Sequence, residues 1–148
     1  MKIIFGVDFG KRIPYTEQSG ALNESYADIF GAIIENKNGD SFYQKSENSG
    51  DLFYDIRHLS TYNLPQSMAD YDREADIHFN GVIFIRAWYL MLEDERLRTV
   101  SRDNWGVIYY NSLHYLGTTA TFRQARAAVA GSCLEAGFTA EQMTSTSY

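Results

Sequence analysis

Two carboxylates four residues apart, Glu24 and Asp28, with a third at Glu35, are the side chains whose spacing most directly suggests chemistry. On a helix turning 100° per residue all three fall on one face. Such a face asks for water, cations or a metal ion. The plain reading is a solvated helix surface, and the sharper one is a set of hard oxygen donors. A second candidate is Phe5-Gly6-Val7-Asp8-Phe9-Gly10-Lys11-Arg12. Its ordinary reading is a strand and turn. The remaining candidates are isolated. His78 stands alone at a helix start, Arg57 lies two residues from Asp55, and Tyr15 is one of 11 tyrosines. His58 and His114 read as packing or surface residues, and Cys133 is the single cysteine, with nothing to bridge.

The elements that must position these residues are mostly helical. Leu22, Tyr26, Ile29, Phe30 and Ile33 recur at spacings of four, three, one and three, which predicts a helix over 20–36 with the three carboxylates opposite its apolar stripe. Residues 3–9 read as a short strand or extended arm closed by Pro14. Residues 36–51 hold ten Asn, Gly, Asp or Ser among sixteen, the composition of an exposed loop. Residues 52–78 read as loop with a candidate strand at Leu52–Ile56. From Asn80 to Leu92 the sequence is apolar on nearly every side, predicting a central, surrounded helix in which Gly81 permits close packing. Helices follow over 102–116 and over 121–136, the latter with Thr121 as N-cap and Gly137 as stop. A last one starts at Thr139. About five helices, with long loops between the first two, make the fold mainly α.

The chain has 148 residues and a formal net charge of −6, and its longest basic run is Lys11-Arg12. That balance argues against a nucleic acid or anionic membrane held on a broad basic surface. The strongest apolar run, Val82 to Leu92, carries Arg86 and is shorter than a membrane span, so no integral membrane protein is expected. The first eight residues do not read as a secretion signal, because a charge breaks the apolar stretch early.

The run Gln18-Ser19-Gly20-Ala21-Leu22-Asn23-Glu24-Ser25-Tyr26-Ala27-Asp28-Ile29-Phe30-Gly31 resembles the third-zinc-ligand helix of the thermolysin-like metallopeptidases. The resemblance continues in order. Asp55-Ile56-Arg57 is similar to the family's substrate-arginine segment, and His78-Phe79-Asn80 followed by Ala87-Trp88-Tyr89-Leu90 to its catalytic-histidine helix. Thr121 to Ala128 resembles its penultimate helix. The resemblance implies a helical C-terminal peptidase domain over 15–148, with its terminal helix cut short, preceded by an arm at 1–14. It implies zinc as cofactor, with Glu24 as the third ligand and Asp28 as the outer carboxylate that orients a ligand histidine. It makes Tyr15 and His78 the hydrogen-bond donors to the oxyanion of the tetrahedral intermediate, and Arg57 the grip on a substrate carbonyl. Glu35, and more weakly Asp40, fall where the family binds calcium.

Three departures qualify what is implied. His-Glu-x-x-His is absent from the sequence. In the family it lies about twenty residues before the glutamate ligand and supplies two zinc ligands and the general base. Counting back from Glu24 places its second histidine at Ile4 and its first ahead of Met1. Arg73 stands where the family has an aspartate supporting the catalytic histidine, leaving Asp72 or Asp76 as substitutes. Ser41-Phe42-Tyr43-Gln44-Lys45 replaces the acidic pattern after Asp40.

The expected function is a partial zinc metalloendopeptidase, inactive alone for want of ligands and base, whose partners are a peptide or protein substrate and a missing N-terminal half. The alternatives are a non-catalytic module that binds peptides or regulates a peptidase, and one half of a complementing split peptidase. The Asp8 segment, which resembles the phosphate loop of the actin and sugar-kinase superfamily, would instead require nucleotide binding. Members of the peptidase family are typically secreted, and nothing in these residues directs export.

Overall fold

The computed structural model describes residues 17–35 and 56–146. The strand expected at 3–9, the loop at 36–51 and most of the candidate strand at 52–56 lie outside them. Among the described residues there is no strand. Five helices occur there: α1 (Glu17–Glu35), α2 (Ile77–Glu93), α3 (Arg102–Ser112), α4 (Phe122–Glu135) and α5 (Ala140–Thr144). Short 3₁₀ turns at Ile56–Tyr62, Met68–Asp70, Glu95–Leu97 and Leu113–Tyr115 link them. None of the described helices is long and apolar enough to cross a membrane.

The helix ends follow their capping chemistry. Asp76 accepts the His78 amide at 2.8 Å, so α2 starts at Ile77, three residues before the apolar run suggests. Thr121 and Gln124 form a reciprocal capping box at the start of α4, and Thr139 and Gln142 do the same for α5. Gly137 adopts φ +86°, with its amide bonded to the Leu134 carbonyl and that of Phe138 to the Cys133 carbonyl. These two bonds make the left-handed stop that the glycine predicts. Helix α3 ends at Ser112 rather than running to Leu116. The Ser112 hydroxyl donates to the Tyr109 carbonyl at 2.7 Å, competing for an acceptor of the last turn, and a 3₁₀ turn follows. Ile56, expected to close a strand, instead opens a 3₁₀ turn whose Ile56 and Leu59 are buried in the core.

Helices α1 and α2 form the most extensive pairing. They approach closely at Gly81, where a Cβ would stand 3.0 Å from Ser25 Oγ and 3.1 Å from the Ala21 carbonyl. A side chain there would have to push both neighbours back by a few tenths of an ångström. Around it Leu22, Tyr26, Ile29, Phe84, Trp105 and Tyr109 form the buried centre. Tyr26 sits edge-on to Tyr109, with ring centroids 5.7 Å apart, and tilted against Phe84 at 5.2 Å. Its hydroxyl donates to Ser112 Oγ at 2.7 Å, which extends the hydrogen-bond chain to Tyr109. Burial holds the Tyr26 and Tyr109 phenols neutral far above their ordinary range, and pushes the Cys133 thiol up to about 12. Cys133 is free and fully buried.

Candidate active site

Glu24 lies on α1 and His78 in the first turn of α2, and the crossing at Gly81 brings them together. His78 Nδ1 is 3.5 Å from Glu24 Oε2, with the imidazole 35% exposed and the carboxylate 19%. At that separation the two groups interact electrostatically without a formed hydrogen bond, and Nδ1 is sealed from solvent. Glu24 is therefore not on an open face, as the stripe alone implied. The start of α2 lies across it, and Asp28 is half-buried as well. The side chain of Glu35 lies outside the described residues.

The support for His78 differs from what the sequence suggests. Asp72 and Asp76, the two substitutes, both spend their carboxylates on backbone amides, those of Glu74 at 2.9 Å and His78 at 2.8 Å. The carboxylate beside the imidazole is Glu24. What holds the preceding loop is Asn80, buried on α2, which donates to the Asp72 carbonyl at 2.7 Å and accepts from the Asp72 amide at 3.2 Å. A buried amide with both donor and acceptor engaged fixes the approach to His78 firmly.

Asn23, next to Glu24, has no role in the sequence argument. Its side chain is 5% exposed and its Oδ1 is buried with no hydrogen-bond partner among the described residues. An orphaned buried carbonyl costs about 1–3 kcal/mol and asks for a donor. The signal that could have found it is a polar residue beside the carboxylate and next to the apolar stripe.

Arg57 is exposed on the 3₁₀ turn Ile56–Tyr62, which packs against α2, the helix that carries His78. His58 and His114 are exposed on separate turns, the first at a kink and the second edge-on to the Tyr110 ring. Tyr15, Asp40, Asp55 and the Asp8 segment lie outside the described residues.

Whether this donor set suits a metal can be tested on the side chains themselves. Among the described residues no three His, Cys, Asp or Glu side chains gather to hold an ion. Glu24 offers one hard oxygen, and the nearby nitrogen is sealed against that same oxygen instead of being open to a shared ion. A zinc site needs at least three protein ligands, so the described residues do not fit one.

With this geometry in place the relatives can be compared. The model of the family described as "Thermolysin metallopeptidase, alpha-helical domain" matches residues 12–147. The chain belongs to that metallopeptidase family, as its C-terminal helical domain. Bacillolysin of Brevibacillus brevis is 33% identical over 127 residues, 77% of this chain and 24% of the relative. Gelatinase of Enterococcus faecalis is 32% identical over 132 residues, 79% of this chain and 25% of the relative. Thermolysin of Alicyclobacillus acidocaldarius is 30% identical over 139 residues, 82% and 25% respectively. The chain thus spans about a quarter of the length of the curated relatives it matches.

Proposed function

We propose that this chain is the helical lobe of a zinc-dependent metalloendopeptidase, and that it hydrolyses no peptide bond until a second lobe completes its site. The observation that carries this reading is the approach of His78 to Glu24 at 3.5 Å, across two helices that lie within the stretch matched by the family. The reaction class follows from the family, while His-Glu-x-x-His is absent from the 148 residues. With no histidine pair and no base, water activation has no agent in this chain.

Within the completed site, Glu24 supplies the carboxylate ligand and Asp28 orients a ligand histidine. His78, assisted by Tyr15, donates to the developing oxyanion, and Arg57 grips a carbonyl of the peptide or protein substrate. Glu35 and Asp40 are the calcium candidates. Secretion is the family's habit and the reading we extend to the whole polypeptide.

The test is peptide hydrolysis by the purified chain with added zinc, followed by mixing with a separately produced N-terminal half of a relative that carries His-Glu-x-x-His. The chain alone is expected to give no chelator-sensitive cleavage. The mixture is expected to give cleavage that Glu24→Gln abolishes. Chelator-sensitive hydrolysis by the chain alone would overturn the reading.

A further inference from the structure

Helix α3 gives Trp105, Ile108 and Tyr109 to the core, yet it carries Val107 and Tyr110 on its outer side, 56% and 59% exposed. Two large apolar side chains one turn apart make a patch, where single exposed ones would need no explanation. Asp103 lies one turn before Val107, and His114 one turn after Tyr110. At 100° per residue Asp103, Val107 and Tyr110 stay within about 60° of one another. The His114 ring meets the Tyr110 ring edge-on with centroids 5.4 Å apart, so the stripe continues through the 3₁₀ turn that follows α3. All four side chains are exposed. Among the described residues Asp103 has no ion pair, and His114 engages only Nδ1, 3.3 Å from the Asn111 carbonyl of its own turn.

The stripe reads alike in both directions. Its spacings are four, three and four, with a carboxylate at one end, an imidazole at the other and the two apolar side chains between. Two such helices set antiparallel about a two-fold axis, level with the point midway between Ile108 and Tyr109, would bring Val107 against the second copy's Tyr110 and Asp103 against its His114. Each contact is then made twice, as an isologous interface requires. A parallel pairing would set carboxylate against carboxylate. An unrelated partner gives no reason for a pattern that is its own complement.

We propose that α3 is a self-association face, which pairs antiparallel with α3 of a second copy of this chain. A crossing angle of about 20° keeps the two helices together over the roughly 16 Å from Asp103 to His114. A contact of that length stands at the small end of specific interfaces, so the dimer is weak, with a dissociation constant on the order of 10–100 μM.

The experiment is sedimentation velocity of the whole 148-residue chain in low-salt buffer, over concentrations from about tenfold below to tenfold above that constant. The chain is expected to pass from monomer to dimer across this range. Tyr110→Ala should weaken association at least about tenfold. Asp103→Lys and His114→Glu should each weaken it about fivefold or more, since the first replaces the anion by a cation and the second sets carboxylate against carboxylate. The deciding sample is a mixture of these two charge variants. In antiparallel register the introduced lysine of one faces the introduced glutamate of the other, while the remaining Asp103 and His114 pair as before. The mixture should therefore associate at least as well as the unsubstituted chain, although neither variant does so alone. Circular dichroism checks the fold of each variant, and a folding defect could not produce restored association on mixing. A chain that stays monomeric throughout, association that Tyr110→Ala leaves unchanged, or a mixture that associates no better than its two components would each overturn the proposal.

Discussion

Four consecutive residues of α1 divide into two kinds. Ser25 and Tyr26 are fully buried and their hydroxyls are satisfied within the chain: Ser25 Oγ lies 2.7 Å from the Ala21 carbonyl and 2.8 Å from that of Gly81, and Tyr26 bonds Ser112 at 2.7 Å. Asn23 and Glu24 immediately precede them, yet among the described residues the Asn23 carbonyl is buried with no partner and Glu24 meets an imidazole beyond good hydrogen-bond geometry. Residues 25 and 26 are closed by the fold around them, whereas residues 23 and 24 keep polar capacity unspent among the described residues. Polar groups that stabilise a fold are closed into bonds, whereas polar groups held for function carry unspent capacity.

The comparison can be broken first through pH. Burial raises the pKa of Tyr26, Tyr109 and Cys133 in the fold, so the unfolded chain loses these protons at lower pH than the native chain does. Their contribution is intact below the ordinary thiol and phenol values and is lost as pH rises beyond them. We expect a melting temperature that falls steadily above about pH 9 and no cooperative fold near pH 12, followed by circular dichroism. A melting temperature flat across that interval would contradict the closed character of the core around Tyr26.

Next in size, Tyr26→Ala should destabilise by about 3–5 kcal/mol in urea unfolding, as truncation of a buried aromatic does. Gly81→Ala should cost about 1–3 kcal/mol, because its Cβ meets a backbone carbonyl and the Ser25 hydroxyl rather than a flexible chain end. Ser25→Ala should cost about 1 kcal/mol through the lost bond between helices. By contrast, Glu24→Gln should change stability by no more than about 0.5 kcal/mol, because a partly exposed pair at 3.5 Å with no formed hydrogen bond is weak. If Glu24→Gln proves as costly as Ser25→Ala, the two kinds of residue are not different and Glu24 belongs to the framework.

Much of the fold was legible because helix signals are local. The threonines at 121 and 139, the glycine at 137 and the stripe on α1 mark their helices as the structure has them. The early start of α2 and the early end of α3 were harder to read, since each depends on one side chain, Asp76 or Ser112, choosing between competing backbone partners. For the site, the family resemblance picked out Glu24 and His78 but put the imidazole's support at Asp72 or Asp76. Both were already engaged by the amides of their own loop. Asn23 carried no motif, and its significance comes from what surrounds it.

By itself the sequence determined the helical class, the positions of the caps, the family, and the absence of His-Glu-x-x-His, all of which depend on residue identity or on spacing within a turn or two. Only the tertiary structure decided that Glu24 faces His78 from a position 54 residues away in the chain, and that the Asn23 carbonyl is buried without a donor among the described residues. The first depends on how closely α1 and α2 cross at Gly81. Where two helices meet is set by the packing of all their contacting side chains together, a property that no local spacing encodes.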